Sequence, residues 1–243
     1  LAIAAMLAMT WIAGWYPFRK KLTDSKKYEF PIGEAIGSGV FLGAGLIHML
    51  GEASHDFAAA HWHYPLAPLL CGLTFLLLLW LEHMGREVYE HQGATSNSFA
   101  LLAVTMLAIH SFLAGAALGL SSNLSVFVII LLAILAHKWA ASFALAVQIN
   151  KSQLSFRQGL VAFSIFTLMA PLGVFIGNMA LHAVPHVQIL QPIFSSLAAG
   201  TFLYLGTLHG LNRAVMVEKC CNIKQYSFVI AGFILMAVVA IWT

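Results

Sequence analysis

The chain has 243 residues, of which 60% are hydrophobic and only 9% charged, with a formal net charge of +3 and a mean hydropathy of +0.87. A soluble domain carries about a quarter charged residues, so this composition excludes an ordinary soluble globule and reads as a polytopic membrane protein. No basic patch with interleaved aromatics points to nucleic acid. No histidine box, nucleophile triad or phosphate loop points to an enzyme.

Eight apolar stretches are long enough, or nearly so, to span a bilayer: 1–18, 33–54, 66–81, 99–120, 124–149, 160–181, 189–211 and 228–242. They predict an all-α membrane bundle of eight transmembrane helices in one domain, 1–243. The first stretch starts without Met, which predicts further native residues ahead of Leu1. It ends in Trp11, Trp15 and Tyr16 followed by Arg19, Lys20 and Lys21, an interfacial belt on a spanning helix rather than a cleaved signal. Eleven of the twelve Lys and Arg residues fall in the loops after spans one, three, five and seven, and the twelfth, Lys138, lies inside span five. By the positive-inside rule those loops are cytoplasmic and both termini face outside.

Span two opens on Glu34, a partner for the helix dipole, and carries Gly33-Gly37 and Gly39-Gly43. At its outer end His48, Glu52, His55 and Asp56 stand at i, i+4, i+7 and i+8, a stripe suited to collecting a hydrated cation; the plainer reading is a solvated helix end. His61, His63, His182 and His186 lie in outer loops. At the inner end of span three His83, Glu87 and His91 again step by four, beside Glu82 and Glu90. With His209 near the end of span seven, they form a candidate release path; the plainer reading is a wet amphipathic helix end. Of the three cysteines, Cys71 lies in a span and Cys220-Cys221 on the cytoplasmic side, so no disulfide is implied.

The central feature is a histidine in each of spans four and five. His110 and His137 both sit about a dozen residues from the short loop around Ser122-Asn123, so antiparallel neighbours bring them to one depth. Ionisable groups at bilayer depth are costly and mark an ion path, a cofactor or a relay. Neutral imidazole ligates zinc, iron, nickel and copper. Two further readings stay open: a histidine pair bonded to backbone or hydroxyl groups, and a pair of axial haem ligands in a redox protein. Small residues at four-residue spacing, Ser111-Gly115-Gly119 in span four and Gly173-Gly177 after Pro171 in span six, predict close helix packing.

These strings resemble the ZIP family of divalent-metal transporters. The resemblance rests on His110-Ser111 with Gly115, Leu118 and Gly119, on His137-Lys138, on Met169-Ala170-Pro171-Leu172-Gly173 with Gly177, on Leu197-Ala198-Ala199-Gly200-Thr201-Phe202-Leu203-Tyr204, and on the run from Val40 to Ala53. It implies an integral membrane protein, of a cell or inner membrane or of a eukaryotic organelle, that carries zinc or another first-row cation such as iron or manganese toward the cytosol. It also implies a homodimer and a sliding of spans one, four, five and six against the rest. The metal is then substrate, with no permanently bound cofactor. One departure matters. The glutamates that the family places four residues after its histidines are Ala114 and Ala141 here, and His209 stands where a glutamate often ends span seven. A carboxylate-bridged two-metal centre is thereby excluded at those positions. The resemblance leaves His110, His137 and the neighbouring Ser111 for a mononuclear site completed by water, or else a relative that has lost transport and serves a metal-sensing or regulatory role.

Overall fold

A computed structural model describes residues 1–23, 30–90, 96–183, 189–207 and 223–242. Among these residues the chain forms eight helices: α1 (Ala2–Thr23), α2 (Pro31–Ala59), α3 (Leu66–Glu90), α4 (Ser96–Gly119), α5 (Leu124–Lys151), α6 (Phe156–Ala183), α7 (Leu190–Thr207) and α8 (Ile223–Val239). Five of them, α2 to α6, are long and apolar enough to cross a bilayer. A helix bundle is the natural outcome for such a chain, because a helix satisfies its backbone hydrogen bonds internally where no water is present.

Local signals set several boundaries. Pro31 opens α2 at a position whose N–H would be unpaired anyway. The Asn123 side chain accepts from the Ser125 N–H at 2.9 Å and starts α5. At the end of α2 the Trp62 N–H reaches the Phe57 carbonyl and the His61 N–H the Ala58 carbonyl. His61 takes a left-handed φ of 61° to close this cap.

The helices sort into two packed groups. α4 lies most extensively on α6, and α1 on α5; α2 pairs with α8, and α3 with α7. The seam between the groups runs chiefly along α4 against α7 and α2 against α5. Inside each group small residues set the distance. A Cβ on Gly115 would run into the Ala170 carbonyl, and one on Gly173 into the Phe112 carbonyl. The stripe in α4 and the pair in α6 therefore interlock reciprocally, as small residues do where backbones approach in lipid. In α2, Gly39 and Gly43 pack closely against α8 and Gly33 against Phe143 of α5, whereas Gly37 has nothing within 4 Å. Glu34 is buried at the start of α2 and accepts from Lys151 Nζ at 2.7 Å, which ties α2 to the last turn of α5 across the seam. Each charge also sits at the helix end that favours its sign.

α7 is surrounded by α2, α3 and α4. Its residues from Ala198 to Phe202, and Tyr204 to Gly206, are buried. This explains why a helix with Thr201, Ser195 and Ser196 holds its place: protein, not lipid, faces most of it.

Candidate functional site

His110 and His137 meet as their depth predicts. Both are buried, and their ring centroids stand 5.8 Å apart. Antiparallel α4 and α5 supply one each. The rings line a cavity of about 10 Å³ together with Ser111, Ala114, Gly115, Ile134, Lys138, Ala141 and Ala170, close to the least space that holds one water. Ala114 and Ala141, one turn after each histidine, thus face the same cavity as the two rings.

Lys138 does not turn away from this cavity. Its Nζ donates to Ser111 Oγ at 3.1 Å and lies 4.8 Å from the centroid of the Phe166 ring, within the range of a cation–π contact. The Ser111 oxygen is therefore engaged by the Lys138 side chain.

α7 provides a wall that the histidine spacing alone does not show. The Phe202 ring stacks on His110, centroids 3.6 Å apart at 20°, and meets His137 edge-on at 5.0 Å. Thr201 Oγ1 lies 2.8 Å from His110 Nδ1, and the Ala198 carbonyl lies 3.3 Å from the same nitrogen. His137 Nδ1 is buried without a hydrogen bond of ordinary geometry; the Ala133 carbonyl, one turn back, is the backbone group it faces.

The outer stripe divides in two. His48 belongs to a π-helical turn, Ala44–Met49, inside α2, a local widening of the helix often seen at functional positions. There Gly45 comes close to the Ala199 carbonyl and to Phe202. His48 is buried and sits 3.7 Å from the Glu52 carboxylate. His48, Glu52 and His55 line one cavity of about 270 Å³. Asp56 lines another, of about 510 Å³, with Ser121, Ser122, Asn123 and Gln191. Helical arithmetic accounts for the split: at about 100° per residue, eight residues leave Asp56 roughly 80° round from His48. His55 and Asp56 still approach each other at 3.8 Å, with the histidine well exposed.

On α3 the inward-facing acid is Glu82, not Glu87. Glu82 is buried and accepts a hydrogen bond from the Tyr204 hydroxyl of α7. Glu87 is exposed. His83 is exposed too, its Nδ1 turned to the Leu79 carbonyl of its own helix at 2.8 Å. His91 and His209, like Cys220 and Cys221, lie outside the described residues. Among the described residues no group of three or more His, Cys, Asp or Glu side chains has the arrangement of a preformed metal site, and the central cavity offers two imidazoles, the Ser111 hydroxyl and the Lys138 amine but no carboxylate.

Thr201 and Phe202 are the residues that spacing arguments pass over. Their signal was present in the string from Leu197 to Tyr204, but nothing local says which histidine they touch.

The model of the family described as ZIP zinc transporter matches residues 1–102 and 90–240. Among known proteins the chain is similar to the zinc transporter ZIP2 of Mus musculus, 28% identical over 257 aligned positions that cover 84% of this chain and 83% of that protein. The human zinc transporter ZIP2 is 27% identical, over 85% of this chain and 84% of its own length. The zinc transporter ZIP1 of Bos taurus is 25% identical over 97% of this chain and 88% of its own length. With matches that run nearly from end to end, this integral membrane protein belongs to the ZIP zinc transporter family.

Proposed function

We propose that the protein carries a divalent transition-metal cation, zinc before iron or manganese, across the membrane toward the cytosol. The observation that carries this reading is the buried His110–His137 pair around one small cavity in a chain of this family. Imidazole is a borderline ligand that suits zinc, and two rings on facing helices need little rearrangement to share one ion. The cation would be held by His110 and His137, with water completing its coordination, and with Ser111 as a polar neighbour once Lys138 gives up its hydroxyl.

Entry runs along the cavity of His48, Glu52 and His55, because His48 lines that cavity from the π-helical turn that packs against Ala199 and Phe202 of α7. Asp56 serves as an accessory attractor from the adjoining cavity. Release would be toward the inner end of α3, with Glu87 and His83 at its exposed margin and His91 and His209 beyond the described residues. The one-sided Lys and Arg distribution supports the inward direction, with both termini outside. The division of the bundle into α1, α4, α5, α6 and α2, α3, α7, α8 supports a motion in which the first group slides against the second. Assembly as a homodimer completes the reading and is open to crosslinking in the membrane.

Radiotracer zinc uptake into proteoliposomes tests the proposal. Wild-type protein should take up zinc, and His110→Ala and His137→Ala should each abolish it. Uptake that survives both changes would remove the central pair from the path. Wild-type protein that binds zinc but moves none would favour the metal-sensing alternative.

A further inference from the structure

Thr201 sits on α7, across the seam from α4, and its hydroxyl proton is already committed. Its Oγ1 donates to the Ala198 carbonyl at 2.6 Å, a short O–H···O bond. His110 Nδ1 faces both oxygens, 2.8 Å from the hydroxyl and 3.3 Å from the carbonyl. A carbonyl oxygen can only accept, and a hydroxyl has one proton to give. Were that proton turned to Nδ1, the Ala198 oxygen would lose the hydroxyl as a donor and confront a nitrogen lone pair. The network closes only if Nδ1 carries the hydrogen and shares it between the two oxygens.

Neutral imidazole has a single N–H. Nε2 of His110 then bears the free lone pair. Among the described residues no protein group hydrogen-bonds to Nε2, and the ring borders the cavity shared with His137. The Phe202 ring stacked at 3.6 Å holds the imidazole plane, so tautomer and orientation are set by neighbouring residues of one helix.

We propose that Thr201, assisted by the Ala198 carbonyl, is a positioning residue that fixes His110 in its Nδ1–H tautomer and makes Nε2 the cation-binding nitrogen. Such outer contacts raise the basicity of a ligating imidazole and orient it, and their loss commonly costs tenfold to a hundredfold in metal affinity. The inference rests on the central-pair reading above for its metal role, though the hydrogen-bond assignment does not need the metal.

The test has two arms on full-length protein in lipid nanodiscs. Ring-nitrogen NMR of histidine-labelled, zinc-free protein, with the His110 signals assigned by their loss in His110→Gln, reads the tautomer. Zinc titration reads affinity. The wild type should show His110 protonated at Nδ1 and bare at Nε2. Thr201→Val, nearly isosteric, should mix the tautomers and weaken zinc binding tenfold to a hundredfold, while Thr201→Ser should preserve both properties. If Thr201→Val does not fold, Thr201→Ala carries the same expectations. A wild-type His110 protonated at Nε2 overturns the assignment even if zinc binds. An affinity within about twofold of wild type in the hydroxyl-free variant, or a lost affinity with the tautomer unchanged, overturns the positioning role. A wild type with the stated tautomer that binds no zinc overturns the central-pair reading instead, and with it the metal role of Nε2.

Discussion

Ala114→Glu introduces a carboxylate one helical turn from His110, at a position that already borders the cavity. At an effective dielectric constant of about 20, unit charges about 4 Å apart attract by about 4 kcal/mol, so a divalent cation gains about 8 kcal/mol from the new carboxylate. In the metal-free protein the same carboxylate is attracted to Lys138, which lines the cavity as well, and giving up that pairing offsets about 4 kcal/mol. The remainder, up to about 4 kcal/mol, is reduced by the water the cation must shed. We expect at least tenfold tighter zinc binding, about 1.4 kcal/mol. Folding bears a separate penalty. The cavity of about 10 Å³ cannot take the added atoms without shifts of its walls, and overpacking costs about 1–3 kcal/mol. Isothermal titration of zinc into wild type, Ala114→Glu and Ala114→Glu with His110→Ala, each checked for folding, measures the gain. The double variant should lose it. A folded Ala114→Glu that binds no better than wild type would refute the view that this cavity holds the cation, and would move the non-transporting alternative to first place.

Three more expectations follow from the geometry. Glu52→Gln should raise the KM for zinc uptake severalfold with maximal rate mostly intact, and Asp56→Asn should do so less, because only Glu52 shares a cavity with His48; equal effects would argue against the split. Gly115→Ala should lower thermal stability by about 1–3 kcal/mol, since its Cβ meets the Ala170 carbonyl, whereas Gly37→Ala, with open space, should be neutral or gain up to about 1 kcal/mol from helix propensity. Single cysteines at positions 59 and 26, in a background without other cysteines, should react with impermeant reagents from opposite sides of the membrane; labelling from one side would sink the topology and the inward direction.

Much of this protein is written in its local pattern. Apolar length and scarce charge dictate helices in a bilayer, because backbone polar groups have no other partners there. Two ionisable rings in apolar helices announce themselves by their cost, and a very short loop between their helices places them at one depth. Stripes of small residues declare close packing by their spacing. What spacing leaves undecided is which surfaces meet. Gly33-Gly37 and Gly39-Gly43 look alike in the chain, yet Gly39 and Gly43 face α8 and Gly37 faces open space.

The chemistry of the central cavity was decided by tertiary structure, since its determining partners are remote in the chain. Thr201 lies 91 residues beyond the histidine it holds, and Tyr204 lies 122 residues beyond the buried Glu82. Lys138 reaches Ser111 over 27 residues and so stays in the cavity, where the sequence left its direction open. The outer stripe reads as one array along the chain and is two in space, because the helix turns Asp56 away from His48. Periodicity reports the face a residue occupies on its own helix. Only the packed bundle reports what stands opposite that face, and at this site the opposing groups set which nitrogen, which hydroxyl and which charge a cation would meet.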